Sequence, residues 1–156
     1  GRPSGYPNSA EVMEAFLANY KAIGLNVTLK NLEPGQYQEL NRKPFAEVRQ
    51  PALLQATTDN NSGDPVFTVP AKYGCKSATS IMCDPEFDAR VAKVAMMTGQ
   101  QRTDGWREIH RYLYEEAVPS VFMYHMVGYA RVSKRINFVP DITTASEIRI
   151  QEITFK

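Results

Sequence analysis

The sequence predicts an α/β fold, and three observations predict it. A helically spaced apolar stretch runs through a single glycine into a stretch that alternates apolar and polar residues, which is half of a βαβ unit. Two later stretches carry helical spacing, the first of them with a cap residue at its start, and strand-like runs follow them. The chain has 156 residues, 43% of them hydrophobic, enough to bury one core, so one domain over 1–156 is the expectation.

The first helix is expected in "PNSAEVMEAFLANYKAIG". Asn8 is positioned as its cap and Glu11 stands three residues on, as in a capping box. Val12, Met13, Phe16, Leu17, Tyr20 and Ile23 fall on one face, and Gly24 supplies the left-handed residue that ends the helix. In "LNVTLKNL", Leu25, Val27 and Leu29 alternate with Asn26, Thr28 and Lys30, the period of a strand. "EPGQYQELNRK" reads as a short helix with Pro34 in its first turn, and "PALLQATT" as a buried strand.

Asp59 to Asp84 is the least regular part, holding Gly63, Pro65, Pro70, Gly74 and both cysteines. A loop of that length is functional or tied down. "DPEFDARVAKVAMMTG" follows as a helix with Asp84 as cap, Pro85 first, Phe87, Val91 and Val94 inward, and Gly99 as its end. "RTDGWREIHRYLYEEA" turns Trp106, Ile109, Leu113 and Ala117 to one side. Gly105 is expected to weaken its first turn by about 1 kcal/mol relative to alanine, and Pro119 to end it. "SVFMYHM", "GYARVS" and "EIRIQEITF" complete the chain as strands.

The charge nearly cancels, 18 basic residues against 17 acidic, for a formal +1. No basic stripe is present beyond Arg131 and Lys134-Arg135, so a nucleic-acid or anionic-membrane partner is not expected. No apolar run reaches the roughly 18–20 residues of a membrane span. The opening "GRPSGYPNSAEV" has neither a signal-like apolar segment nor an initiating Met, as expected of a processed or excised piece.

Cys75 and Cys83 flank the seven residues "KSATSIM" in a polar loop. A disulfide there contributes about 2.6 kcal/mol in the chain-entropy model and implies an oxidising compartment; two free buried thiols are the alternative. The spacing is not that of a zinc knuckle, and neither His110 nor His125 stands at ligand spacing from a cysteine, so no metal and no cofactor are expected.

Catalysis by His125 would require a nucleophile and an orienting carboxylate, and no G-x-S-x-G elbow or HExxH helix is present. His125 reads as a pocket wall or sheet residue, and His110, off its helix's apolar face, as a surface histidine. The loop "DNNSGDPVF" gathers Asp59, Asn61, Ser62 and Asp64 beyond a predicted strand end, where α/β folds bind ligands. Its alternative is a turn whose side chains bond their own backbone. Tyr124 and Tyr129 read as sheet packing or as platforms for a ligand.

Four stretches in this order resemble the C-terminal part of the family 5 extracellular solute-binding proteins, the dipeptide and oligopeptide type that serves ABC importers. They are "YPNSAEVMEAFLANYKAIGLNVTLKNLEPGQY", the "GDP" of Gly63 to Pro65, "CDPEFDARVAKV", and "RTDGWREIHRYLYEEAVPSVFMYHMVGYARVSKRINFVP". The resemblance implies a periplasmic-binding-protein type II-like lobe, a mixed sheet flanked by helices, forming most of the second lobe of a two-lobed protein that closes by a hinge. It implies an N-terminal lobe elsewhere in the parent chain, an ABC permease as partner, and a periplasmic or extracellular location consistent with a Cys75–Cys83 bridge. It implies capture of a peptide or similar small polar solute, with no bond broken. Asp59, Asn61, Ser62, Asp64, Tyr124 and His125 are the candidate binding residues. Where peptide-binding members often carry a tryptophan and an aspartate before "GDP", this chain has Thr58 and Asn61, with Asp59 close by; Asp64 matches the aspartate of "GDP" and is expected to shape the loop. The rival reading is a small hydrolase using His125 with Asp59 or Asp64.

Overall fold

A computed structural model describes residues 8–45, 52–56, 63–125, 130–140 and 148–156. The chain divides into two compact units, Gly1–Thr57 and Thr58–Lys156. Among the described residues the elements are a mostly helical mixture of α and β, with five α-helices and one two-stranded sheet.

In the first unit, α1 spans Ser9–Ala22 and α2 spans Pro34–Asn41. Val12, Met13, Phe16, Leu17 and Tyr20 are half-buried as the helical spacing predicts, while Ile23, past the helix end, is exposed. The expected capping by Asn8 does not form. Asn8 is left-handed (φ 57°, ψ 25°), and a cap side chain reaches the first turn's N–H groups from the extended region. Ser9 is the buried polar residue here, donating to Gln55 Oε1 at 2.9 Å. The C-terminus behaves as expected. Gly24 (φ +86°) donates to the Lys21 carbonyl and Leu25 to that of Tyr20, both at 3.0 Å, the two bonds of a Schellman ending.

The stretch after Gly24 keeps its period without becoming a strand. Val27 and Leu29 are half-buried, Asn26, Thr28 and Lys30 exposed, yet no ladder forms among the described residues. Leu32 and Tyr37 are buried instead. The capping box of α2 uses Glu33 and Gln36, with the Glu33 N–H donating to Gln36 Oε1 at 3.2 Å. Residues 52–56 of the expected "PALLQATT" strand are likewise without a ladder.

The second unit is built on three helices, α3 (Pro65–Tyr73), α4 (Pro85–Ala95) and α5 (Gly99–Tyr112). Their common core is Val69, Phe87, Val91, Val94, Trp106, Ile109 and Leu113, with Phe87 0% and Leu113 1% exposed. α3 lies inside the segment expected to be irregular. Pro70, in its interior, disguises a helix that the Asp64-Pro65 start and the spacing of Val66, Val69 and Tyr73 would otherwise mark.

Cys75 and Cys83 form a disulfide, which joins the end of α3 to the start of α4. The loop between is pinned as well by hydrogen bonds. Ser77 Oγ and Thr79 Oγ1 donate to the Ala71 carbonyl, the Cys75 N–H donates to the Asp88 carboxylate at 3.1 Å, and fully buried Ser80 donates to the Met82 carbonyl at 2.7 Å.

α4 ends at Ala95, four residues before the expected stop, and Gly99 (φ +57°) opens α5. The early end is made possible by a side chain: Arg102 Nη1 donates to the Ala95 carbonyl at 2.6 Å, one of the acceptors a helix end leaves open. Gly105 is the seventh residue of α5, not part of its first turn, and its role is contact. A Cβ there would stand 2.8 Å from Val94 Cγ2 and 3.0 Å from Cγ1. Gly105 is what lets α5 lie against α4. Gly105→Ala is therefore expected to destabilise the unit by up to about 2 kcal/mol, because overpacking costs about 1–3 kcal/mol and the better helix propensity of alanine offsets only about 1 kcal/mol of it. Urea unfolding followed by tryptophan fluorescence checks this, and a gain in stability would contradict it.

After α5 the helix widens into a π turn, Leu113–Ala117, closed by the Val118 N–H donating to the Leu113 carbonyl at 3.1 Å. Val118 is left-handed (φ 41°) and Pro119 follows. The described residues of the next expected strands, 120–125 and 130–133, form no ladder. Among the described residues antiparallel pairing is confined to β1 (Ile136–Asn137) and β2 (Thr154–Phe155), with Ile136 opposite Phe155 and Asn137 opposite Thr154. In the last expected strand only Thr154–Phe155 pairs; Ile150–Glu152 is a 3-10 turn with Ile150 exposed.

Candidate functional site

Asp64 does three things at once. Its carboxylate caps α3, accepting the Val66 N–H at 2.9 Å. It also receives Arg102 Nη2 on both oxygens, at 2.9 and 2.7 Å. Through Nη1 that same guanidinium holds the end of α4, and it lies 5.7 Å from the centre of the Trp106 ring. One arginine thus ties the start of α3 to the end of α4 from a position on α5. The Val66 N–H, and then Arg102, hold the Asp64 carboxyl below the usual carboxylate range, against some loss of solvation.

This junction belongs to the lining of an open groove of about 530 Å³. Gly63, Asp64 and Pro65 form one side; Arg102, Thr103, Trp106, Arg107 and His110 form the other, along α5. The volume falls in the range of roughly 300–1,000 Å³ typical of small-molecule sites. Arg107 pairs with Asp104 at 2.8 Å in an exposed contact. Thr103 Oγ1 donates back to the Gly99 carbonyl at 3.4 Å. His110 Nδ1 lies 2.7 Å from the Trp106 carbonyl. A carbonyl only accepts, so Nδ1 carries the hydrogen and the second ring nitrogen is left for other partners. The buried indole N–H of Trp106 has no acceptor among the described residues.

A second polar junction lies at the start of α4. Asp84 accepts the Glu86 and Phe87 N–H groups at 2.9 and 3.2 Å and the Tyr112 hydroxyl at 2.9 Å. The Phe87 N–H, with Tyr112 next, lowers the Asp84 pKa; the same carboxylate raises that of Tyr112, whose ring carries Arg90 at 5.0 Å. These groups hold α4 to α5, and the arrangement is a helix cap with a tether.

Of the residues the sequence singles out, Asp64 belongs to the groove, shaping its rim as a cap. Asp59, Asn61, Ser62 and Tyr129 lie outside the described residues. Tyr124 and His125 are exposed, do not line the groove, and make no hydrogen bond among the described residues. His110 is the exposed histidine expected of its position, and it does line the groove. Arg102, Trp106 and Arg107 were not legible as site residues. Trp106 reads as core, and nothing local says that Arg102 reaches back to Asp64. Among the described residues no group of three His, Cys, Asp or Glu side chains is placed to hold a metal ion, and no helix is long and apolar enough to cross a membrane. Compared with protein-family models, curated proteins and solved structures, the chain finds no match.

Proposed function

We propose that this chain is most of the second lobe of a two-lobed solute-binding protein, of the family 5 extracellular type, with a type II-like periplasmic-binding-protein architecture. In this reading it captures a peptide or similar small polar solute against an N-terminal lobe of the same parent. It then hands the solute to an ABC permease, in the periplasm or outside the cell, and breaks no bond. The observation that carries the reading is that the Gly63-Asp64-Pro65 stretch, one of the four that resemble the family, caps a helix at the rim of an open groove of ligand-sized volume. An open groove is half of an enclosure. The Cys75–Cys83 disulfide is compatible with an oxidising location. The apolar run Val121, Phe122, Met123 and Tyr124 is exposed, joins no ladder among the described residues, and would be covered within a larger sheet.

A hydrolase centred on His125 has less support. Asp64 is engaged by Arg102, and His125 makes no hydrogen bond or ion pair among the described residues. The two-lobe reading is tested by calorimetry on this chain and on the complete parent, with the solute that co-purifies with the parent identified by mass spectrometry. The chain alone is expected to bind at least about a hundredfold more weakly, since half of the burial and of the placed polar groups is absent. Equal affinity would contradict a second lobe, and a parent that retains no solute would contradict the importer reading.

A further inference from the structure

From the inventory of donors and acceptors in the groove, we infer that it receives the carboxylate of its solute on Arg107, with the solute's apolar part against Pro65 and Trp106. The inference rests on the solute-binding reading and names the ligand chemistry of that groove.

Among the described residues Asp64 is the only carboxylate of the lining, and it is already satisfied by Arg102 and the Val66 N–H. It has little left for a ligand's ammonium. Arg102 is engaged by Asp64 and the end of α4. Arg107 is different. Its side chain is 67% exposed, and its one ion pair among the described residues is an i,i+3 contact with Asp104 through Nη1. Such exposed pairs contribute little, so a second carboxylate can share or replace that partner, and a guanidinium accepts a carboxylate in fork geometry. Besides the lone pairs of Thr103 Oγ1, the described lining offers the second ring nitrogen of His110, one turn along from Arg107, to a further partner. It suits a peptide N–H beside the carboxylate. Pro65 and the Trp106 ring supply the apolar surface that ligand sites show around a few polar groups.

Trp106 is the single tryptophan of the chain, so its fluorescence reports from the groove wall. The test titrates the chain with N-acetyl-leucine and, separately, with N-acetyl-leucinamide, which keeps the shape and removes the charge. The acid is expected to give a saturable change in the millimolar range, and the amide to bind about tenfold more weakly, as does the acid on Arg107→Gln. Arg111→Gln removes an exposed arginine paired with Glu108 outside the groove and is expected to leave the acid's binding unchanged. Amide shifts of residues 103–110 in heteronuclear spectra locate the site independently of any variant. Acid and amide binding alike would overturn the carboxylate assignment while leaving the groove a solute site. No saturable change with either would overturn the assignment too, and solute retained by the complete parent would show that the importer reading survives it.

Discussion

Arg102→Met is expected to lower the stability of the second unit by about 2–3 kcal/mol, the largest loss from any single polar side chain of the groove. The substitution keeps much of the apolar stem beside Trp106 and removes only the guanidinium. It takes away both Asp64 contacts and the donor at the Ala95 carbonyl, so two helix ends lose a partner together. Side-chain exposures of 23% for Arg102 and 37% for Asp64 keep the estimate below that of a buried pair. For a unit of about one hundred residues this corresponds to a fall of roughly 10 °C or more in Tm. Urea unfolding followed by the fluorescence of Trp106 measures it, and a loss below about 0.5 kcal/mol would show the junction to be incidental.

The same junction fixes a direction for the pH dependence. The carboxyls of Asp64 and Asp84 sit below their ordinary value of 3.8 in the folded chain. Their contribution is fully present above that value and is lost as pH falls through the lowered folded values. In Arg102→Met the part of this acid dependence that belongs to Asp64 shrinks, because the Val66 N–H remains and the arginine does not. Asp84 has other partners and keeps its share.

The second large effect is expected from Cys75→Ser with Cys83→Ser, or from reduction of the native chain. Opening the loop releases up to about 2.6 kcal/mol of constraint on the unfolded state. The folded loop is expected to persist. Ser77 and Thr79 still reach the Ala71 carbonyl, Asp88 still receives the residue 75 N–H, and Ser80 remains buried against Met82. A lowered urea midpoint with an unchanged far-ultraviolet dichroism spectrum is therefore the expected result. Equal stability of the oxidised and reduced chains would contradict it.

Much of the helical structure is legible in the sequence because it depends on neighbours in the chain. Asp84-Pro85 starts α4, Glu33-Pro34 starts α2, Gly24 ends α1, and the stripes of Phe87, Val91, Val94, Trp106 and Ile109 lie where the 3.6-residue period puts them. α3 escapes the same reading because Pro70 interrupts its pattern, although Asp64-Pro65 is as good a start as that of α4. The cap at Asn8 fails for a reason no residue type reveals: its backbone is left-handed. Of the candidate site, Asp64 was legible as a residue that shapes its loop, and the disulfide as one of two alternatives for Cys75 and Cys83. Arg102, thirty-eight residues from Asp64, was not.

The sequence by itself determined where α1, α2 and α4 begin, which faces α4 and α5 bury and which two cysteines stand within reach of each other. Each of these follows from backbone preferences and side-chain spacing over a few residues. Tertiary structure decided the rest. Strand-like periods at Leu25–Lys30 and Val121–Tyr124 remain without ladders among the described residues, because a strand is completed only by another strand. Gly105 became a point of helix contact because Val94 lies across from it. A groove exists beside α5 because one guanidinium holds the start of α3 and the end of α4 together, and that depends on three dimensions, since Coulomb attraction and hydrogen bonds act between atoms that folding, not chain order, brings close.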